Sequence, residues 1–305
     1  MLVGKQIHFV CLTHPHADNG KDLVPLLERH PEITEFWHTA SDISAFIYRL
    51  EEIPNFPSSV REFAREMATG WANFLIDLYG AVAEKDIPIH QVRAGEQPRV
   101  YDHVEVHALA PDENIQQEFL SYWLKKAGDP KIQRPDPNSL SAVLALRWGD
   151  CVILLGADAL RANWRTAIKR YRNLNLPKAS ILKVPHHGAS NSLESSTSKK
   201  PSYLDICRHD ENRCHAVLFA GDAKHPDKKV YDRLRMRTNV HCLINGLRGG
   251  KTGRDLGIEL DGARPASNPL PCQPVVSFEI SADGKVSTVS GSTCDVCRHA
   301  VKPVV

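Results

Sequence analysis

Nothing in this 305-residue sequence approaches the roughly 20 consecutive apolar side chains needed to cross a bilayer. The apolar run from Ile7 to Thr13 is too short, and is cut too soon by His14, to serve as a secretory leader. A cytoplasmic protein without membrane attachment is the expectation. The eight cysteines are even in number but scattered, at Cys11, Cys151, Cys207, Cys214, Cys242, Cys272, Cys294 and Cys297. Several sit inside apolar strand patterns of a long chain, which predicts buried thiols and argues against a disulfide framework. The Gly-rich segment Gly246 to Gly257 lacks the lysine and spacing of a phosphate-binding P-loop and reads as a loop. Acidic residues are missing altogether from Arg161 to Lys178.

What is present is an ordinary globular balance, 42% apolar and 24% charged, with enough apolar material for a core. The net charge of +2 conceals an asymmetry. Residues 1 to 160 hold 14 basic and 23 acidic side chains, a balance of −9, whereas residues 161 to 305 hold 24 and 13, a balance of +11. A basic second half favours an anionic substrate.

The chemistry gathers in four stretches. The first is Leu12-Thr13-His14-Pro15-His16-Ala17-Asp18-Asn19-Gly20. On an extended backbone alternate side chains point the same way, so His14 and His16 are expected to reach one divalent ion and Asp18 a neighbouring one. The others are Val152 to Asp158, Leu182 to Ser190 with His186-His187-Gly188, and Val217 to Pro226 with Asp222, Lys224 and His225. Each is an apolar, β-branched-rich run ending in polar residues at a Gly- or Pro-marked loop. Such runs place their terminal residues on the rim of a sheet.

In this order the stretches resemble the metallo-β-lactamase superfamily, most closely the soluble hydrolase domain of ComEC, the DNA-uptake channel protein, and its stand-alone relatives. Those read HPHADH, LLTGDA and a VPHHGS-like segment, followed by a strand ending near a His-Pro pair. The resemblance covers roughly residues 5 to 260 and implies an α/β fold, the αββα sandwich. It further implies two divalent ions, zinc or else manganese. His14 and His16 would hold the first, Asp18 the second together with one of His186 or His187, and Asp158 would bridge both. Catalysis is then expected from Asp18, Asp158 and His187, with Ser190, Lys224 and His225 meeting the substrate. His38, at a strand end, is the best-placed extra ligand.

Two departures stand out. The last histidine of the family's first motif is Asn19 here, and an amide oxygen is a weak ligand beside an imidazole. One metal position is therefore expected to be weak. The motif also begins only thirteen residues from Met1, so the sandwich is expected to lack the family's first strands, with a protein partner or a second copy completing the sheet.

Along the chain, strands are predicted at Gln6 to Thr13 and Ile33 to Thr39. A helical insertion spans about 41–86, and its aromatic stripe from Phe63 to Leu78 has the spacing of core packing. Ile87 to Ala110 has strand character. A helix from about Asn114 to Lys126 precedes paired strands Ser141 to Trp148 and Cys151 to Leu155. In the helix after Asp158, Arg161, Arg165, Lys169 and Arg172 share one face, either a solvated surface or a phosphate-tracking stripe. Residues 1–260 are read as one hydrolase domain and 261–305 as a linker, a closing β-hairpin and a Cys/His tail. In that tail Cys294, Cys297 and His299, with Cys272, have part of a zinc-site spacing.

These readings converge on a metal-dependent phosphodiesterase, a nuclease acting on DNA or RNA. Two alternatives stay open: a phosphodiesterase of a cyclic nucleotide or phosphoryl ester, and a metal-degenerate binding subunit of a bacterial multi-protein system.

Overall fold

The computed structural model describes residues 6–16, 23–39, 72–126, 136–210, 212–220, 225–244, 275–281 and 286–292. Asp18, Asn19, Lys224 and the Cys272, Cys294, Cys297 and His299 set lie outside the described residues, as does the insertion before Ala72. The chain divides into two compact units, one of residues 1–96 and 108–142, the other of 97–107 and 143–305.

In the first unit β-branched and aromatic runs give strands β1 (Ile7–Leu12), β2 (Ile33–His38) and β3 (Ile89–Gln91), a parallel sheet in that order. Parallel neighbours need crossover connections. Helix α1 (Leu23–Arg29) lies between β1 and β2, and α2 (Ala72–Glu84) precedes β3. Leu75, Leu78, Tyr79 and Val82 fall at helical spacing on α2 and are all buried with Leu27 of α1 and with Val10, Leu12, Ile33 and Phe36 of the sheet. Each such side chain contributes about 1.5–3 kcal/mol when fully buried. Register pairs Leu12 with His38 and His38 with Gln91, so the three strands end level and their C-terminal residues share one rim.

The region from Ile87 to Ala110 resolves into three strands: β3, then β4 (Arg99–Tyr101) and β5 (Val104–Ala110), the last two antiparallel. Helix α3 (Glu113–Lys126) follows. Next come β6 (Val143–Trp148) and β7 (Cys151–Leu155), an antiparallel hairpin turning at Gly149, whose φ of 57° suits glycine. Helix α4 (Arg161–Asn173) leads to β8 (Ile181–Lys183), then β9 (His215–Ala220), α5 (Lys228–Arg237) and β10 (Asn239–Ile244). The seven strands run β10-β9-β8-β7-β6-β5-β4 in one mixed sheet, with β7 to β10 mutually parallel. The fold is thus α/β, and of the two larger sheets among the described residues one is mixed and one all-parallel. Among the described residues no helix is long and apolar enough to cross a membrane.

The hairpin β11 (Val275–Ile280) and β12 (Val286–Ser292) packs Phe278, Ile280 and Val286 against Ile181 and Val217. Phe278 also lies 5.5 Å from the His215 ring and 5.9 Å from that of His241. Those two histidines, on neighbouring strands, share a hydrogen bond of 3.0 Å between Nδ1 and Nε2. Sequence gave no reason to pair them. Burial lowers both pKa values, and that of His241 falls to about 4 because His215 adds repulsion. Among the described cysteines, Cys151, Cys207 and Cys214 are buried free thiols and Cys11 a half-buried one.

Two outcomes follow from this packing. A Cβ at Gly156 would lie 2.3 Å from Cζ2 of the buried Trp164, so Gly156→Ala should destabilise the fold by about 1–3 kcal/mol in a denaturant titration. Acid should weaken the second unit as well. The folded value of His241, about 4, lies below the ordinary 6.5, so the unfolded chain takes up protons first as pH falls. Stability is full above the ordinary value and is lost on the way down toward the folded one. At pH 5 the loss, reduced because the ring is partly open to solvent, is about 1 kcal/mol, a drop in Tm of about 2–4 °C. In His241→Gln the dependence should flatten, and a wild-type Tm that does not change from neutral pH to pH 5 would exclude the pair as its source.

Candidate functional site

Each unit carries its chemistry-bearing residues on the C-terminal rim of its parallel strands, where open α/β sheets hold their ligands. In the first unit the carbonyl of Thr13, just past β1, accepts from Ala142 N at 2.8 Å and from the Thr39 hydroxyl at 3.2 Å, which fixes the start of the histidine loop. The loop is not extended, as the spacing predicted. His16 N donates to the carbonyl of His14 at 2.9 Å and closes a tight turn. The turn still brings the rings side by side, with centroids 5.9 Å apart and planes 19° from parallel. His14 is buried and lies 3.1 Å through Nδ1 from the Thr13 hydroxyl, while His16 is exposed.

His38 ends β2 on the same rim. Its ring is buried, Nδ1 bonds the Tyr79 hydroxyl, and burial together with nearby His90 pushes its pKa down to about 3. It is a neutral imidazole at any physiological pH. Two more histidines of this unit are held by carboxylates: His30 by Glu32 at 2.8 Å and His90 by Glu96 at 3.2 Å.

In the second unit β7 delivers Gly156, Ala157 and the buried Asp158, and β8 delivers His186 and His187. Ala157, in the left-handed region with φ of 42°, turns its carbonyl to accept both His186 N at 2.9 Å and Lys183 Nζ at 3.2 Å. Lys183 was not singled out in the sequence, although a lysine between Leu182 and Val184 interrupts an apolar run. Burial lowers its pKa and the Asp158 carboxylate opposes that shift. The same carboxylate opposes a burial-driven lowering at His186. Asp158, Lys183 and His186 therefore form one electrostatic cluster.

The double histidine departs furthest from expectation. An extended backbone would have sent the two rings to opposite faces; instead His186, His187 and Gly188 are all left-handed, with φ of 47°, 53° and 78°. For the two histidines this costs roughly 1–2 kcal/mol each. Gly188 pays no such steric cost, and a Cβ there would approach Pro226 Cβ to 2.8 Å. His187 Nδ1 donates to the carbonyl of Phe219 at 3.0 Å, which in the neutral ring leaves the lone pair on Nε2. His186 Nδ1 is buried and has no hydrogen-bond partner among the described residues. The His225 ring lies 5.9 Å from that of His186, so the third loop of the rim reaches the same place.

Beyond Gly188, Ser190 is exposed and its carbonyl accepts from Arg161 Nη2 at 2.5 Å. Arg165 meets Glu194 at 2.5 Å. Half of the basic face of α4 is therefore spent on this loop, while Lys169 and Arg172 remain exposed.

As a metal site, the donor chemistry of Asp158 and of the orphaned His186 Nδ1 suits a divalent cation, with the Phe219 carbonyl orienting His187 as metal-binding imidazoles are usually oriented. The set is incomplete. Among the described residues no three His, Cys, Asp or Glu side chains are grouped so as to hold an ion. No family model matches the chain, and no curated protein is significantly similar to it.

Proposed function

We propose that the chain is a metal-dependent hydrolase of phosphodiester bonds, of the metallo-β-lactamase type, and acts on nucleic acid. The observation that carries this reading is the buried Nδ1 of His186, which has no hydrogen-bond partner among the described residues, in the electrostatic cluster of Asp158. A buried polar atom without a partner costs about 1–3 kcal/mol, and a ligand that uses its lone pair offsets that cost. What a divalent ion supplies in such a site is a nucleophile at neutral pH and neutralisation of phosphoryl charge.

The chain's own residues supply the rest. Asp158 and His186 bind, and His187, held by the Phe219 carbonyl, offers Nε2 to a substrate oxygen that carries a proton. Lys183 brings an amine to the same cluster. Exposed Lys169, Arg172, Lys199 and Lys200 favour a polyanion over a small neutral ester. The order of the four motifs along the chain adds support.

The test combines elemental analysis with hydrolysis of single-stranded DNA, duplex DNA, RNA and bis-p-nitrophenyl phosphate by protein loaded with zinc or manganese. Asp158→Asn and His186→Ala should each lose bound metal and at least about 100-fold in rate; His14→Ala examines the first-unit histidines in the same assays. EDTA should abolish activity and added metal restore it. A metal-loaded wild type that leaves all four substrates uncut overturns the reading.

A further inference from the structure

The left-handed turn at His186 and His187 persists only where its surroundings hold it. Upstream, Ala157 accepts from His186 N at 2.9 Å; at the turn, Asp227 N donates to the carbonyl of Gly188 at 3.0 Å. Downstream, the segment Ser190 to Glu194 is gripped from two helices. Arg161 donates through Nη2 to the carbonyl of Ser190 at 2.5 Å and through Nε to that of Leu193 at 2.8 Å. Arg165 donates through Nε to the Glu194 carboxylate at 2.5 Å, and Arg233 of α5 donates through Nη1 to the Glu194 carbonyl. Glu194, with a side chain only 7% exposed, is the point on which both helices converge.

We infer that Arg161, Arg165 and Arg233 are positioning residues: by clamping Ser190 to Glu194 they hold the double-histidine turn in its left-handed form and so set the direction of both imidazoles. Two members of the basic face of α4 are thereby assigned to the loop, not to phosphate. That the turn serves as a ligand loop rests on the function proposed above; the clamp itself does not.

The rings report on the clamp directly. With His187 Nδ1 donating to Phe219, the neutral ring carries its proton on Nδ1, the less common tautomer of imidazole in water. Long-range ¹⁵N–¹H spectra of histidine-labelled, metal-free protein should show that tautomer in the wild type. In Arg165→Gln and in Glu194→Gln the His187 signals should shift to a mixture of tautomers and those of His186 should move. The exchanged pair, Arg165→Glu with Glu194→Arg, should recover the wild-type pattern. If Glu194→Gln does not fold, Arg161→Lys keeps the charge, gives up one of the two carbonyl bonds and is read in the same way. Unmoved ring signals in folded single variants, or no recovery in the exchanged pair, overturn the inference and leave the arginines a purely structural role. Zinc affinity, measured separately, should fall about 10-fold or more in the single variants. Moved rings in a protein that binds no zinc would uphold the clamp and sink the hydrolase reading.

Discussion

The carbonyl of Ala157 is where the ends of β7 and β8 are tied together. It accepts from the backbone of His186 and from the ammonium of Lys183, and it can do so only because Ala157 itself turns left-handed. That one acceptor fixes where Asp158 stands relative to the double histidine. Gly156 is required beside it, since the buried Trp164 of α4 occupies the space a side chain would need. The rim of the second unit is thus set by backbone geometry, and its side chains follow.

Much of the fold was legible because it rests on local patterns. Ile33 to His38, Val143 to Trp148, Cys151 to Leu155 and His215 to Ala220 are apolar runs closed by polar residues or glycine, and each is a strand. The helix after Asp158 buries Trp164, Ala167, Ile168 and Tyr171 on the face the periodicity marked. The C-terminal hairpin fell where its turn signal put it. Asp158, His186 and His225 were legible as members of one rim because each follows such a run.

What sequence could not show depends on contacts between distant residues. The pairing of His215 with His241 bridges 26 positions, and Arg165 reaches Glu194 across 29. Nothing near Arg165 marks its partner, so the charged face of α4 reads either as solvent surface or as phosphate track. Lys183 is unmarked in the sequence, since a single charge in a strand is usually solvated; here the strand is short and its end is buried. The left-handed pair at His186 and His187 contradicts the local preference of every L-residue, and only the surrounding structure could impose it.

The energetics of that turn are consistent. Two left-handed histidines cost roughly 2–4 kcal/mol together. The five donor contacts from Arg161, Arg165, Arg233 and Asp227 contribute about 0.5–1.5 kcal/mol each, with the Arg165 ion pair discounted because its guanidinium is 40% exposed. The sums are of the same size, so the turn is held with little to spare. Glycine at either position would remove the strain at once, and with it the imidazole. A chain that keeps two histidines where glycine would be more stable, and commits three arginines to holding them there, accepts the strain for the sake of the rings and the directions they take. In a merely structural turn the relaxed residue would be the better one, which is the physical ground for looking for a ligand at this rim and not elsewhere in the fold.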